Sequence, residues 1–132
     1  MIKVLLVDDV KDLRTLFRRI LDDDEEIEIV GEAADGIEAI DRAQELQPDV
    51  VVLDLAMPRL DGLRAIPRLR HVAPDTKILI MTAFSSRQLS ERALRACASA
   101  ILDKGASLKE LMKAVHAVHE SPPKTGCHEF TA

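Results

Sequence analysis

The chain has 132 residues, 47% of them apolar, which suffices for one compact core and is too little for two comfortable ones. Its formal charge of −5 excludes a nucleic-acid surface of clustered Lys and Arg, and with only Phe17, Phe84 and Phe130 as aromatic residues it has no material for base stacking or a sugar platform. Two cysteines, Cys97 and Cys127, do not make a secreted disulfide framework, no apolar run nears bilayer length, and Asp8 and Asp9 stand where a signal peptide would be apolar, so the expectation is a cytoplasmic protein, untargeted and without membrane contact.

Residues 3–7 form an apolar run that reads as a strand and ends at Asp8 and Asp9. Leu13, Leu16, Phe17, Ile20 and Leu21 then recur at helical spacing as one inward stripe, with Arg14, Arg18 and Arg19 on the polar side. A second strand spans residues 27–32. Asp35, with Glu38 three residues on, supplies an N-terminal cap for a helix whose inner face is Ile37, Ile40, Ala43 and Leu46.

The third strand, residues 50–53, is a continuous apolar run closed by Asp54. The helix predicted over residues 63–72 contains Pro67, whose missing N–H and ring should bend or delay it. Strand 77–81 is followed by Thr82, a helix spans residues 87–97, and strand 100–102 ends just before Lys104. Ser107 with Glu110 opens the last helix, residues 108–119, which turns Leu108, Leu111, Met112 and Val115 inward. His116 and His119 lie one turn apart without a third ligand and read as complements to the helix C-terminus, not as a zinc site. Residues 1–119 thus form one domain, and residues 120–132, with Pro122, Pro123 and Gly126, read as a flexible tail or linker stub.

Five strands alternating with five helices predict an α/β fold: a flavodoxin-like, doubly wound parallel sheet of order 2-1-3-4-5 with right-handed crossovers. Asp8, Asp9, Asp54, Thr82 and Lys104 then share the rim at the carboxyl ends of the strands. Each alone is an ordinary turn or cap residue. Three converging carboxylates, however, repel one another unless a cation joins them, and a hard, oxygen-ligated ion such as Mg²⁺ meets that need. A lysine ending a buried strand is costly unless it faces a carboxylate or phosphate.

In order and spacing, Asp8-Asp9, then Asp54-Leu-Ala-Met57-Pro58-Arg-Leu-Asp61-Gly62, then Thr82-Ala83, then Lys104 resemble the receiver domain of two-component response regulators, over residues 2–119. The resemblance implies that Asp54 is the nucleophile that takes a phosphoryl group from a sensor histidine kinase. It implies a metal site of Asp8, Asp9, Asp54 and the backbone carbonyl of Ala56 holding Mg²⁺. Lys104 and Thr82 would face the phosphoryl oxygens, and the fourth helix and fifth strand would respond. Met57 and Pro58 would shape the loop after Asp54, Gly62 would allow a tight turn into the helix, and Asp61 would be a cap. The arginines of the first helix offer a docking face for a kinase helix bundle.

The stretch Leu102-Asp-Lys-Gly-Ala-Ser107 is similar to receivers of LuxR-type (NarL/FixJ-like) regulators, so an output or DNA-binding domain is expected elsewhere, the chain being a stand-alone receiver or a piece of a longer regulator. A homodimer through the last two helices is the expected self-association. Departures stand beside the likeness. Ile101 occupies the switch position that is commonly aromatic; Cys97, Ala98 and Ala100 replace small glycines; Gly105 replaces a frequent proline after Lys104. Ala56 and Phe84, two residues beyond Asp54 and Thr82, cannot orient water by hydrogen bonding, which implies a long-lived acyl phosphate.

Three rivals are weaker. A haloacid-dehalogenase-type phosphatase needs a second Asp where Ala56 stands, and a flavin site needs a hydroxyl-rich first loop in place of Asp8-Asp9-Val10-Lys11. A degenerate receiver serving as a phosphorylation-independent interaction module is suggested by Ile101, and is opposed by the presence of all five site residues.

Overall fold

The computed structural model describes residues 1–55, 62–82, 87–96, 98–103, 105 and 107–122, excepting the side chains of residues 87–90 and 108. Its elements run β1 Ile2–Val7, α1 Lys11–Asp22, β2 Ile27–Ala33, α2 Gly36–Leu46, β3 Val50–Asp54, α3 Gly62–Val72, β4 Lys77–Thr82, α4 Arg87–Arg95, β5 Ala100–Asp103 and α5 Leu108–Glu120. The strands form one parallel sheet in the order β2-β1-β3-β4-β5, as the alternation of elements predicts.

Side-chain alternation along the central strands divides the core between two faces. Val4, Leu6, Val50, Val52, Leu79 and Met81 meet Phe17, Ile20 and Leu21 of α1 and Leu111, Val115 and Val118 of α5. Leu5, Val7, Val51, Leu53, Ile78 and Ile80 meet the small and branched residues of α2, α3 and α4, among them Ala39, Ala43, Ala65 and Ile66. The alanines matter here, because a helix with short inward side chains lies close to the sheet. At Gly31 the approach is tighter still: a Cβ would sit 2.8 Å from Leu46 Cδ1, so the absence of a side chain lets α2 lie across β2. The register of β1 against β2 also slips between Val4 and Leu5, which moves one extra residue into β2 ahead of Gly31.

Both predicted caps form: the Asp35 carboxylate accepts from Glu38 N at 2.8 Å and the Ser107 hydroxyl from Glu110 N at 3.2 Å. Other details differ. Leu16 is 47% exposed and Ile37 40% exposed, so the inward stripes of α1 and α2 are narrower than their apolar spacing suggests. Helix α4 ends at Arg95 and not at residue 97, because Ala98 N turns back to Ala93 O at 3.0 Å and closes it. Helix α5 runs one residue past the expected end, to Glu120.

Helix α3 neither stops at Pro67 nor starts late, running from Gly62 through Pro67 to Val72. Burial of Ala65, Ile66 and Leu69 on its inner side offsets the roughly 3 kcal/mol that an internal proline costs. Where α3 begins, a Cβ on Gly62 would lie 2.1 Å from Asp54 O and 2.8 Å from Leu55 Cα, while Gly62 N donates to Leu55 O at 2.9 Å. Only glycine permits that contact between backbones.

At the opposite edge, His116 of α5 reaches across to the turn between α1 and β2. Its Nε2 donates to Asp24 Oδ2 at 2.7 Å, with Nδ1 3.7 Å from Glu26 Oε2. The histidine therefore ties two elements together, where the sequence suggests only a complement to the helix end. The bond from His116, aided by the Glu26 N–H, holds the Asp24 carboxyl below the usual carboxylate range, against the opposing effect of burial.

Two outcomes follow for stability. Gly62→Ala should lower the urea midpoint, followed by far-UV circular dichroism, by the equivalent of about 1–3 kcal/mol. His116→Ala should cost about 1 kcal/mol at pH 7. Because folding depresses the Asp24 pKa, that stabilisation is complete above the unfolded carboxylate range and disappears as pH falls through the folded value, so wild type and variant should converge in strong acid.

Candidate functional site

Strand register brings the acidic residues together. Val7 of β1 pairs with Leu53 of β3, so the next residues along each strand, Asp8 and Asp54, emerge side by side at the carboxyl edge. Asp54 pairs in turn with Met81 of β4, which puts Thr82 one step beyond it, opposite Asp103 of β5. One carboxylate oxygen from each of Asp8, Asp9 and Asp54 lies within 4.8 Å of the others. Asp8 and Asp54 are each 3% exposed and Thr82 4%, whereas Asp9 faces solvent.

Carboxylates this close repel one another as ions, and a divalent cation bound by oxygen is one partner that relieves them. The donor set fits Mg²⁺: hard oxygens only, one of them at an open side where water and a substrate oxygen can complete the coordination. The depth of Asp54 on a strand end also suits a carboxylate nucleophile, which needs a fixed oxygen and limited competition from bulk water.

Asp8 is held at its backbone N–H, its carbonyl and one carboxylate oxygen. Its N–H donates to Ala33 O of β2 at 3.1 Å, its Oδ1 accepts from Val10 N at 2.9 Å, and its carbonyl accepts from Arg14 Nη1 at 2.6 Å. Arg14 is thus turned inward. Its side chain is only 15% exposed and its Nε lies 3.2 Å from Glu32 Oε1. Arg18 pairs with the other oxygen of Glu32 at 2.7 Å and sits 3.9 Å from Asp22, which leaves Arg19 as the exposed arginine of the three. Of the arginine face expected on α1, two members are therefore engaged within the fold, and the part played by Glu32 is one that sequence spacing does not reveal. The only sequence hint is that Arg14 lies one turn into the helix that follows the acidic pair.

Ile101, the expected switch position, is half-buried on β5 beside Ile80 and packs against the core shared with α3 and α4. Ala56, Phe84 and Lys104 lie outside the described residues, as do Met57, Pro58, Asp61 and Cys97. Among the described residues no helix is long and apolar enough to cross a membrane.

Comparison with known proteins agrees with this geometry. The family model "Response regulator receiver domain" matches residues 4–116. The response regulator GacA of Pseudomonas syringae pv. syringae is 39% identical over 118 residues, covering 89% of this chain and 55% of that protein. A protein-glutamate methylesterase/protein-glutamine glutaminase of Methanospirillum hungatei is 38% identical over 113 residues, 84% of this chain and 33% of its own length. The chain therefore spans about half or less of the curated relatives it matches. Among solved structures, the receiver domain of the response regulator NarL from Mycobacterium tuberculosis superposes with a TM-score of 0.88 at 29% identity, covering 92% of this chain and 98% of that one. A sheet of order 2-1-3-4-5, an acidic rim on its central strands and a family match across nearly all of the described core lead to one assignment: this chain belongs to the response regulator receiver domain family.

Proposed function

We propose that this chain is a working phosphoacceptor in which Asp54 accepts a phosphoryl group from a phosphohistidine of a sensor histidine kinase. The observation that carries the reading is the convergence of Asp8, Asp9 and Asp54 within 4.8 Å at the carboxyl ends of β1 and β3, with Asp54 buried and fixed. An Asp54 oxygen forms the new bond to phosphorus, the P–N bond breaks, and its electron pair returns to the donor imidazole. Asp8, Asp9, Asp54 and the carbonyl of Ala56 are the proposed protein ligands of Mg²⁺, which when bound offsets negative charge on the equatorial phosphoryl oxygens. Lys104 is assigned to those same oxygens, and the hydroxyl of Thr82 to a hydrogen bond with them.

The acyl phosphate adds charge and acceptors at one point on the rim. Thr82 and Ile101 are the proposed switch residues, with α4 and β5 as the surface that responds and a homodimer or a separate output domain as its reader. The DNA-binding outputs of LuxR-type regulators supply the model for such a reader, with nucleic acid contacted by that domain and not by this acidic chain. The domain is assigned to residues 1–119 with a tail after it, and its place of action to the cytoplasm, where such kinases present their phosphohistidine.

Incubation with acetyl phosphate and Mg²⁺ should add one phosphoryl group by intact mass, and the gain should vanish in Asp54→Asn or with EDTA. No gain in wild type would favour a phosphorylation-independent interaction module. The phosphorylated form should persist well beyond seconds, because Ala56 and Phe84 offer no hydrogen bond to an attacking water. Ala56→Asn and Phe84→Glu should change its decay rate, and decay within seconds that neither variant alters would reject that assignment.

A further inference from the structure

We infer that Arg14 is a positioning residue for the cation site, clamping the acidic loop through its backbone and not through a carboxylate. The inference rests on the metal reading above and goes beyond it, to a side chain outside the ligand set. Arg14 uses two nitrogens for two tasks: Nη1 donates to the carbonyl of Asp8 at 2.6 Å, and Nε is fixed on Glu32 Oε1 at 3.2 Å. Glu32 is the neighbour of Ala33, whose carbonyl accepts the Asp8 N–H at 3.1 Å. Asp8 is therefore tied at both its N–H and its C=O to one short piece of β2, by a direct bond on one side and by the Arg14–Glu32 bridge on the other.

That arrangement sets the direction in which the Asp8 carboxylate leaves the strand. With the peptide groups on either side of Asp8 fixed, and Oδ1 accepting from Val10 N at 2.9 Å, little rotation remains about the bonds that carry the ligand oxygens. The planar guanidinium is suited to the task because separate nitrogens serve two acceptors in different directions at once, which a lysine ammonium at the same site does less well. Its charge would oppose a nearby cation if uncompensated, and Glu32 supplies the compensation. Arg14 also lines, with Phe17, Asp8 and Val52, a cavity of about 10 Å³, no larger than one water.

The competing explanations differ in sign. If Arg14 acted only through charge, its removal beside a cation site would tighten cation binding. If it positions Asp8, removal weakens binding, by roughly 10-fold as for other groups that orient a metal ligand. Arg14→Met keeps an unbranched aliphatic side chain and deletes the guanidinium, while Arg18→Met removes the other arginine on Glu32, whose ion pairs run to Glu32 and Asp22. Mn²⁺ serves as the probe, its affinity read by the electron paramagnetic resonance signal of the free ion, on folded protein checked by circular dichroism.

The expected result is affinity about 10-fold weaker in Arg14→Met and unchanged in Arg18→Met. Arg14→Lys, which preserves charge, should fall between wild type and Arg14→Met, and it carries the test if the methionine variant does not fold. Wild type that fails to bind Mn²⁺ removes the metal reading and this inference with it. Wild type that binds, with Arg14 variants equal to it or tighter, or with Arg18→Met equally weakened, overturns the clamp alone.

Discussion

The parallel pairing of β1 with β3 is the constraint on which the molecule's chemistry depends. Val7 against Leu53 allows one residue more on each strand before the sheet ends, and both of those residues are aspartates. A shift of one residue would turn every core side chain of β1 to the wrong face, so the hydrophobic division of the sheet protects the relation between Asp8 and Asp54 more strongly than any contact between the carboxylates themselves. The gap after β3 is held just as firmly. The backbone of α3 returns so closely to the Asp54 carbonyl that a side chain at position 62 would have to displace it, and the Asp54 peptide is thereby held between strand and helix.

Polar bonds tie the amino edge of the sheet together. At the amino edge, Lys3 and Asp49 exchange bonds of 2.8 Å, Lys77 N donates to Asp49 O at 3.0 Å, and the Thr76 hydroxyl donates to Pro48 O at 2.5 Å. Those side chains complete backbone groups that the strands leave unpaired where they begin. The carboxyl edge gathers Asp8, Asp9 and Asp54, an oxygen-only donor set suited to a hard cation. The amino edge secures the strands where they begin and the carboxyl edge carries the candidate ligand site, in keeping with the tendency of doubly wound sheets to bind ligands beyond their carboxyl ends.

What could be read from sequence was local or periodic. Apolar runs ending in Asp8, Asp54 and Thr82 identify strand ends, alternation of strand and helix gives the topology, and Asp35 and Ser107 mark helix starts, because each signal spans only a few residues. The larger discrepancies involve tertiary packing and partners distant in the chain. Leu16 belongs to a helical stripe by spacing, yet it remains largely exposed where α1 packs on the sheet. Pro67 is unfavourable by local rules and tolerated because its neighbours are buried. Arg14 looks like part of a solvated basic face until β2 brings Glu32 beside it, and His116 looks like a helix-end charge until the fold supplies Asp24, 92 positions earlier in the chain.

These anchors also bear on where a signal can travel. The C-terminal half of α5 is tied to the amino edge twice, by His116 on Asp24 and by the Lys77 ammonium, which donates to the carbonyls of His119 and Ser121. Its first turn, capped by Ser107, lies at the other edge, close in sequence to Lys104. A helix pinned at one end and joined to the proposed phosphoryl site at the other resists translation as a whole, so displacement is cheapest near β5 and the start of α5. Ile101 lies on that path, and as a branched aliphatic side chain half-buried against the core it can transmit a change only by repacking, without the ring rotation available to an aromatic residue. On the proposed reading, the element that phosphorylation would bias is the local fit of Ile101 beside Ile80, with the far end of α5 acting as a fixed reference.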